Sequence, residues 1–326
     1  MQIRKALAQM LLSLVFLPLN SLAQESVAKF PSRPFTFIAS VAPGGPTENE
    51  TRLYMGKMFQ LMGQPFVLDF KAGGGQIIGA NFVAKSQPNG YTMLIVTASF
   101  TLNAAMRDDL PFNPIADFAP VSLMSVRSTA LVVNQSVPAK NVEEYVAYAR
   151  ANPGKVNYGT SGQGSAGHIA GAWLHGLTGT KVTFVNYKGA GPMMLDLVAG
   201  RVDVSMEALS GVLPMIKAGK VRVLGITGAE RSPLLPQMRT VAEQGLPGFD
   251  YSGFLGFSAP GSTPAAIVNK LSENFAIAAK SPEIVKPMEE GGAVMIGSTA
   301  SSFKQTLDTQ IGRWKKVVQE NGIAAE

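Results

Sequence analysis

Short apolar runs in this chain alternate with longer segments in which apolar residues recur roughly every three or four positions, and glycine or proline marks most of the changes between them. The run beginning Phe35-Thr-Phe-Ile-Ala-Ser-Val41 predicts a buried strand that turns at Pro43-Gly44-Gly45 and enters a helix. Thr47 is the expected cap of that helix, since Glu50 three residues later completes an S/T-x-x-E capping box. Pro65 to Phe70 predicts a second strand, Lys71 to Gly75 a flexible loop, and Gln76 to Lys85 a helix; Pro88-Asn89-Gly90 then turns into a strand over Thr92 to Thr97. A second group of units follows: strand Leu131 to Val133, helix Val142 to Ala151, strand Val156 to Gly159, a helix after Ser165, a strand around Thr183 to Val185, a helix opened by Pro192, and strand Val202 to Met206. The tail predicts a strand near Phe254 to Ser258 and helices after Pro264 and Ser301, the last with Trp314, Val317 and Val318 on an apolar face. Strands alternating with helices predict an α/β protein with largely parallel sheets, gathered into two lobes.

Composition sharpens this picture. With 326 residues, 46% of them hydrophobic, the chain can build two domains of ordinary size. The net charge of +6 is not concentrated in any Lys/Arg run, which argues against a nucleic-acid or membrane-surface role and leaves attraction of an anionic small molecule open. Residues 1–23 read as an export signal: Arg4 and Lys5, then the apolar run Ala6 to Leu19, then Ser21-Leu22-Ala23 as the cleavage site. Cleavage after Ala23 would leave a charge of +4. The apolar run is shorter than the roughly 20 residues that span a bilayer, so an exported, soluble product is expected. Cysteine is absent, which excludes disulfides, thiolate metal sites, cysteine nucleophiles and a lipidated cysteine.

Candidate chemistry lies at the glycine-rich junctions. Gly44 and Gly45 stand at a helix mouth, where unpaired N–H groups and the positive end of the helix dipole favour an anion. Gly162-Gln-Gly164-Ser-Ala-Gly167 is a literal G-x-G-x-x-G, which opens a dinucleotide-dependent enzyme as a remote alternative. That fingerprint wants an acid about 20 residues on, and Phe184 to Gly189 holds none; a glycine anion loop with Ser161 and Ser165 hydroxyls as added donors fits better. Tyr187-Lys188-Gly189-Ala-Gly191-Pro192 is a further junction of this kind. His168 and His175, the only histidines, are two turns apart and do not make a metal pair; His168 either touches a ligand or caps its own loop. Glu207, at a strand end, is either a ligand-side acceptor or a solvated or paired carboxylate. Neither serine sits in a G-x-S-x-G elbow, and no acid–base pair or metal set emerges, so the inventory points to binding and not to catalysis. A Cβ at Gly45 or Gly164 is expected to obstruct close backbone approach and to strain the turn.

Several stretches follow one another along the chain: Pro43-Gly44-Gly45, Gly73 to Ala80, Pro88 to Thr92, Leu110 to Pro114 with Asp117 to Ser122, Pro153 to Lys155 with Asn157-Tyr158, Ser161 to His168, Tyr187 to Gly189, Ile216 to Lys220, and Thr240 to Glu243 with Gly245 to Phe249. In that order they resemble the periplasmic solute-binding receptors of tripartite tricarboxylate transporters, the Bug or TctC-like receptors, over essentially the whole mature chain. The resemblance implies a two-lobed, type II, Venus-flytrap-like binding protein whose chain crosses twice between lobes. Lobe 1 would hold residues 30–126 plus 256–326, and lobe 2 residues 127–255. It also implies a monomeric periplasmic receptor, without cofactor or catalysis, that captures a small aliphatic or aromatic mono-, di- or tricarboxylate. Such a receptor delivers its ligand to integral membrane subunits, or, as an alternative, presents it to a membrane signalling protein.

The ligand-binding residues implied lie on the loops named. They are Pro43, Gly44, Gly45, Thr47 and Glu48; Gly74 and Gly75; Ala98 and Ser99; Ser161, Gly162, Gly164, Ser165, Gly167 and His168; Tyr187 and Lys188; and Glu207. Two departures from the family pattern matter. A double proline and third glycine before Thr/Ser-Asp are replaced by Ala42-Pro43-Gly44-Gly45-Pro46-Thr47-Glu48, so a longer acid is expected at the cleft and Pro46 removes one N–H. Phe100 stands at a frequent histidine position, which predicts an apolar ring facing the ligand, and Asn103-Ala104 replaces Asn-Pro.

Overall fold

The computed structural model describes residues 29–321. The expected export signal and its cleavage site lie outside these residues. Strand β1 (Phe35–Ala39) is almost wholly buried, as a central strand covered on both faces must be. It leads into α1 (Pro46–Met62), whose Tyr54, Met58 and Met62 form one buried stripe; Gly63, left-handed at φ 68°, ends it by donating to Phe59 O at 2.9 Å. The expected capping box does not form. Gly45 is the N-cap, Pro46 occupies the first turn, and Glu50 is buried instead of reaching back.

After β2 (Phe66–Phe70), the expected flexible loop is a defined left-handed turn: Gly73, Gly74, Gly75 and Gln76 all have positive φ, from 56° to 127°. Each L-residue in that region costs about 1–2 kcal/mol, which is why three of the four are glycine. The chain continues through α2 (Ile77–Ala84), β3 (Thr92–Thr97), α3 (Ala98–Met106) and β4 (Phe118–Arg127). A second series follows: β5 (Thr129–Asn134), α4 (Val142–Ala151), β6 (Asn157–Thr160), α5 (Ala166–Thr178), β7 (Thr183–Asn186), α6 (Ala190–Val198), β8 (Val204–Ala208), α7 (Leu209–Lys217) and β9 (Val221–Ile226). It ends with β10 (Gly253–Pro260), α8 (Ala265–Ala279), α9 (Pro282–Glu290), β11 (Ala293–Met295) and α10 (Ala300–Asn321).

Two sheets result, a six-stranded one ordered β11-β4-β10-β3-β1-β2 and a five-stranded one ordered β7-β6-β8-β5-β9. The chain leaves the first sheet after Arg127 and returns to it at Gly253. Both sheets are mixed, which corrects the expectation of largely parallel ones. The βα units pair in parallel, β1 with β2 and β3, β6 with β7 and β8, while β10 and β5, at the passages between sheets, run antiparallel to their neighbours. Strands that enter from the other sheet are not bound by the right-handed crossover rule that keeps βαβ units parallel.

Stacked rings fill the first sheet's core: Phe37 with Phe257 at 4.6 Å, Phe257 with Phe275 at 4.6 Å, and Phe35 with Phe66 at 4.4 Å. A second aromatic cluster joins α5 to α10, with Trp173 stacked on Phe249 at 4.4 Å and edge-on to Trp314 at 5.4 Å. Since α10 also packs on β4 and α3, it ties the second sheet's α5 to the first sheet.

Candidate functional site

The carboxyl ends of β1, β2, β3, β6, β7 and β8 all open on one cavity of about 960 Å³, the place where open α/β sheets offer a ligand site. Of the residues singled out in the sequence, Pro43, Gly45, Thr47, Gly74, Gly75, Ala98, Ser99, Ser161, Gly162, Gly164, Ser165, Gly167, His168, Tyr187, Lys188 and Glu207 line it. Gly44 and Glu48 do not. The Glu48 carboxylate turns back to accept the Gly44 N–H at 2.8 Å and pairs with Arg52 at 2.7 Å. The Gly44 bond, ahead of Arg52, holds its carboxyl below the usual carboxylate range. That bond uses the very N–H that the sequence offered to a ligand. Phe100 is likewise not at the cavity: it is buried among Phe112 and Phe118, edge-on to the latter at 5.0 Å. Asn103 faces the cavity in its stead, three residues further along the helix.

The glycine loop before α5 is built from its own residues. Ser165 caps the helix, its Oγ accepting the His168 N–H at 3.3 Å, while His168 Nδ1 takes the Gly164 N–H at 3.4 Å. His168 therefore does cap its own loop, and it lines the cavity as well. Gly164 has φ 70°, and the expected strain of a Cβ applies there. Gly45 has φ −100° with open space around its Cβ position, so the expectation of obstruction and strain at Gly45 is corrected. Across the cavity, Ser99 Oγ accepts the N–H of Ala166, the first residue of α5, at 3.0 Å. Asn103 Nδ2 donates to Gly75 O at 2.7 Å, and a Cβ on Gly75 would come within 3.0 Å of Gln163 O. The loops of the two sheets thus touch each other over the cavity.

Charged groups at the cavity differ in their surroundings. Glu207 is half-buried, and burial, opposed only by a hydrogen bond from Ser205 Oγ at 3.2 Å, pushes its carboxyl up to about 7. Tyr187 gives its hydroxyl to Asp196 at 2.6 Å; burial and that bond raise it to about 12. Lys188 is exposed at the rim. His175 is not at the cavity: it sits in the core between Thr180 (2.6 Å) and Tyr145 (3.3 Å), and burial lowers its pKa to about 4.

The sequence reading missed Arg127, Thr129 and Tyr251, which line the cavity where the chain passes between sheets. Arg127 is 7% exposed; its Nη2 donates to Phe254 O at 2.8 Å and its Nη1 lies 3.5 Å from Glu50 Oε2. Burial raises the Glu50 carboxyl, with Arg127 opposing. The Thr129 and Thr227 hydroxyls contact each other, and both donate to Tyr251 O, at 2.7 and 2.8 Å. The signal for Arg127 was present in the sequence, as one cation between the runs Val121 to Val126 and Thr129 to Asn134.

Known proteins resemble this chain over most of its length. BugT of Bordetella pertussis is 30% identical over 302 residues, covering 92% of this chain and 93% of that protein. The structure titled R. palustris Rpa4515 with adipate is 33% identical, covers 90% of this chain and 99% of its own, and superimposes with a TM-score of 0.86. MatC from Rhodopseudomonas palustris with bound malate is 29% identical, with coverage of 89% and 100% and a TM-score of 0.85. The fold is that of a two-lobed periplasmic binding protein, and the family model "Tripartite tricarboxylate transporter family receptor" matches residues 51–323. This chain belongs to the tripartite tricarboxylate transporter receptor family, a family of periplasmic solute-binding proteins.

Proposed function

We propose that the protein captures a small organic carboxylate in the cavity between its two sheets and hands it to the integral membrane subunits of a tripartite transporter. The observation that carries this reading is the convergence of six strand ends on one cavity, those of β1, β2, β6 and β7 followed by glycine-rich loops, with α5 and α6 starting at its wall. Helix N-termini and glycine backbones suit a carboxylate, whose oxygens accept several N–H bonds at once. Two similar proteins, Rpa4515 and MatC, carry adipate and malate, which supports the class of ligand. In this reading the receptor is an exported monomer without catalytic activity. Its lobes comprise residues 30–126 with 256–326 and residues 127–255, and they close over the ligand by bending at the two passages.

Calorimetry of the mature protein against mono-, di- and tricarboxylates, aliphatic and aromatic, tests the proposal. Saturable binding of one or more members with no chemical change in the ligand is the expected result. A panel without any binder, or turnover of a member, overturns it.

A further inference from the structure

Arg127 is the last residue of β4, where the chain leaves the first sheet, and it pairs in register with Gly253, where the chain returns. Its side chain is 9% exposed and lines the cavity. A guanidinium carries five N–H donors. Among the described residues only one hydrogen bond engages them, from Nη2 to Phe254 O; Nε is buried without a partner. Glu50 supplies a counter-charge, but at 3.5 Å and through one oxygen, and that oxygen makes no hydrogen bond. Well-made guanidinium–carboxylate pairs have two parallel contacts at about 2.7–2.9 Å. A buried cation so sparsely coordinated gives up its hydration without full return. The guanidinium, on a residue that lines the cavity, stands to gain from a better acceptor there.

Among the described residues, no other group at the cavity serves as that acceptor: Glu207 bonds Ser205 Oγ and not Arg127. Of the other cations there, Arg107 is held by Asp109 at 3.1 Å and Lys188 stands exposed at the rim. The cavity therefore has, besides the solvated Lys188, two anion-favouring regions of different kind: backbone N–H groups at the strand ends, and the buried Arg127 at the passage between sheets.

We propose that Arg127 is the specificity-determining residue for a second anionic group of the ligand, paired with it while the glycine-rich loops hold the first carboxylate. This rests on the carboxylate reading above. Arg127 then selects ligands bearing anions at both ends over those bearing one, and it ties the occupied state to both passages through its bond to Phe254.

The test uses α,ω-dicarboxylates of three to eight carbons and the monocarboxylates of matching length, measured by calorimetry on the wild type, Arg127→Met and Arg127→Lys. The wild type is expected to bind its best diacid at least about tenfold tighter than the matching monoacid. Arg127→Met should weaken that diacid by at least about thirtyfold and the monoacid by less than about threefold; Arg127→Lys should fall between. Since Arg127→Met leaves Glu50 buried and alone, the paired change Glu50→Met with Arg127→Met serves as the folding control and should show the same collapse of preference. An unchanged diacid-to-monoacid ratio in the variants, or a wild type that binds monoacids as well as diacids, overturns the assignment while leaving carboxylate capture standing. A wild type that binds no carboxylate overturns both.

Discussion

Gly75 and Gly164 face each other across the cavity with nearly the same φ, 63° and 70°, but with different space around them. A Cβ on Gly75 would stand 3.0 Å from Gln163 O and 3.5 Å from Gly164 C; one on Gly164 would stand 3.5 Å from Asn103 Oδ1 and 3.8 Å from Gly75 Cα. Alanine at either position adds left-handed strain of about 1–2 kcal/mol, present in open and closed forms alike, so it lowers stability and cancels in binding. On the proposed closure, the 3.0 Å contact exists only in the closed form, where relieving it costs about 1 kcal/mol. Because affinity scales with the closed population, Gly75→Ala should weaken binding about fivefold, whereas Gly164→Ala should leave it within about twofold. Both should melt about 2–8 °C lower. Calorimetry with the best carboxylate, alongside thermal melts of the same samples, measures both effects. Equal losses of affinity in the two variants, or full affinity in Gly75→Ala at a reduced melting temperature, would refute the reasoning.

Three further outcomes are expected. Ser99→Ala removes the acceptor of the Ala166 N–H across the cavity and should weaken ligand binding about two- to tenfold with little change in melting temperature; unchanged affinity would show that the bond does not assist closure. Glu207, with its carboxyl at about 7, is mostly protonated at pH 6 and mostly charged at pH 8, so binding of an anion should strengthen as pH falls through that range, and Glu207→Gln should flatten the profile in calorimetry. Acid stability carries opposite contributions from two groups. The neutral form of His175, held at about 4 against 6.5 when unfolded, contributes on the order of 3 kcal/mol above pH 6.5, and this is lost as pH falls to 4. Glu207, raised from 4.5, favours the folded state below pH 4.5 and loses that contribution as pH rises through about 7. Melting temperatures from pH 4 to 7.5 should therefore fall more steeply on acidification in Glu207→Gln, and less steeply in His175→Gln, than in the wild type.

Elements bounded by local chemistry were legible in the sequence. Strand Thr92–Thr97 follows a Pro-Asn-Gly turn, and helix Val142–Ala151 starts at Asn141, which accepts the Glu144 N–H at 2.8 Å; both were placed with the observed limits. The glycine junctions that wall the cavity were legible for the same reason. What escaped depends on partners distant in sequence. β4 is defined by antiparallel pairing to β10, more than a hundred residues away, and α3 follows β3 with no intervening turn to announce it. Thr47 has the sequence of a cap, but Pro46 already fits the first helical turn and Glu50 is drawn inward to Arg127. The Glu48 carboxylate was expected at the cleft; a side chain one methylene longer than Asp reaches back to Gly44 instead. Arg127 acquires its place at the cavity only when two sheets meet beside it.

The aromatic cluster between α5 and α10 gives the molecule an optical property. Trp173 and Trp314 are the chain's two tryptophans, both buried and 5.4 Å apart, so they absorb and emit as one coupled pair. One member rides on the helix whose first turn meets the cavity, the other on the helix that packs against the first sheet. Intrinsic fluorescence and near-ultraviolet circular dichroism therefore read the angle between these two helices without any added label. A signal that changes on loading locates the pivot away from the stack. If the lobes close as proposed, a signal that stays constant while the ligand binds is the result expected of Trp173, Phe249 and Trp314 acting as a fixed bearing for that motion.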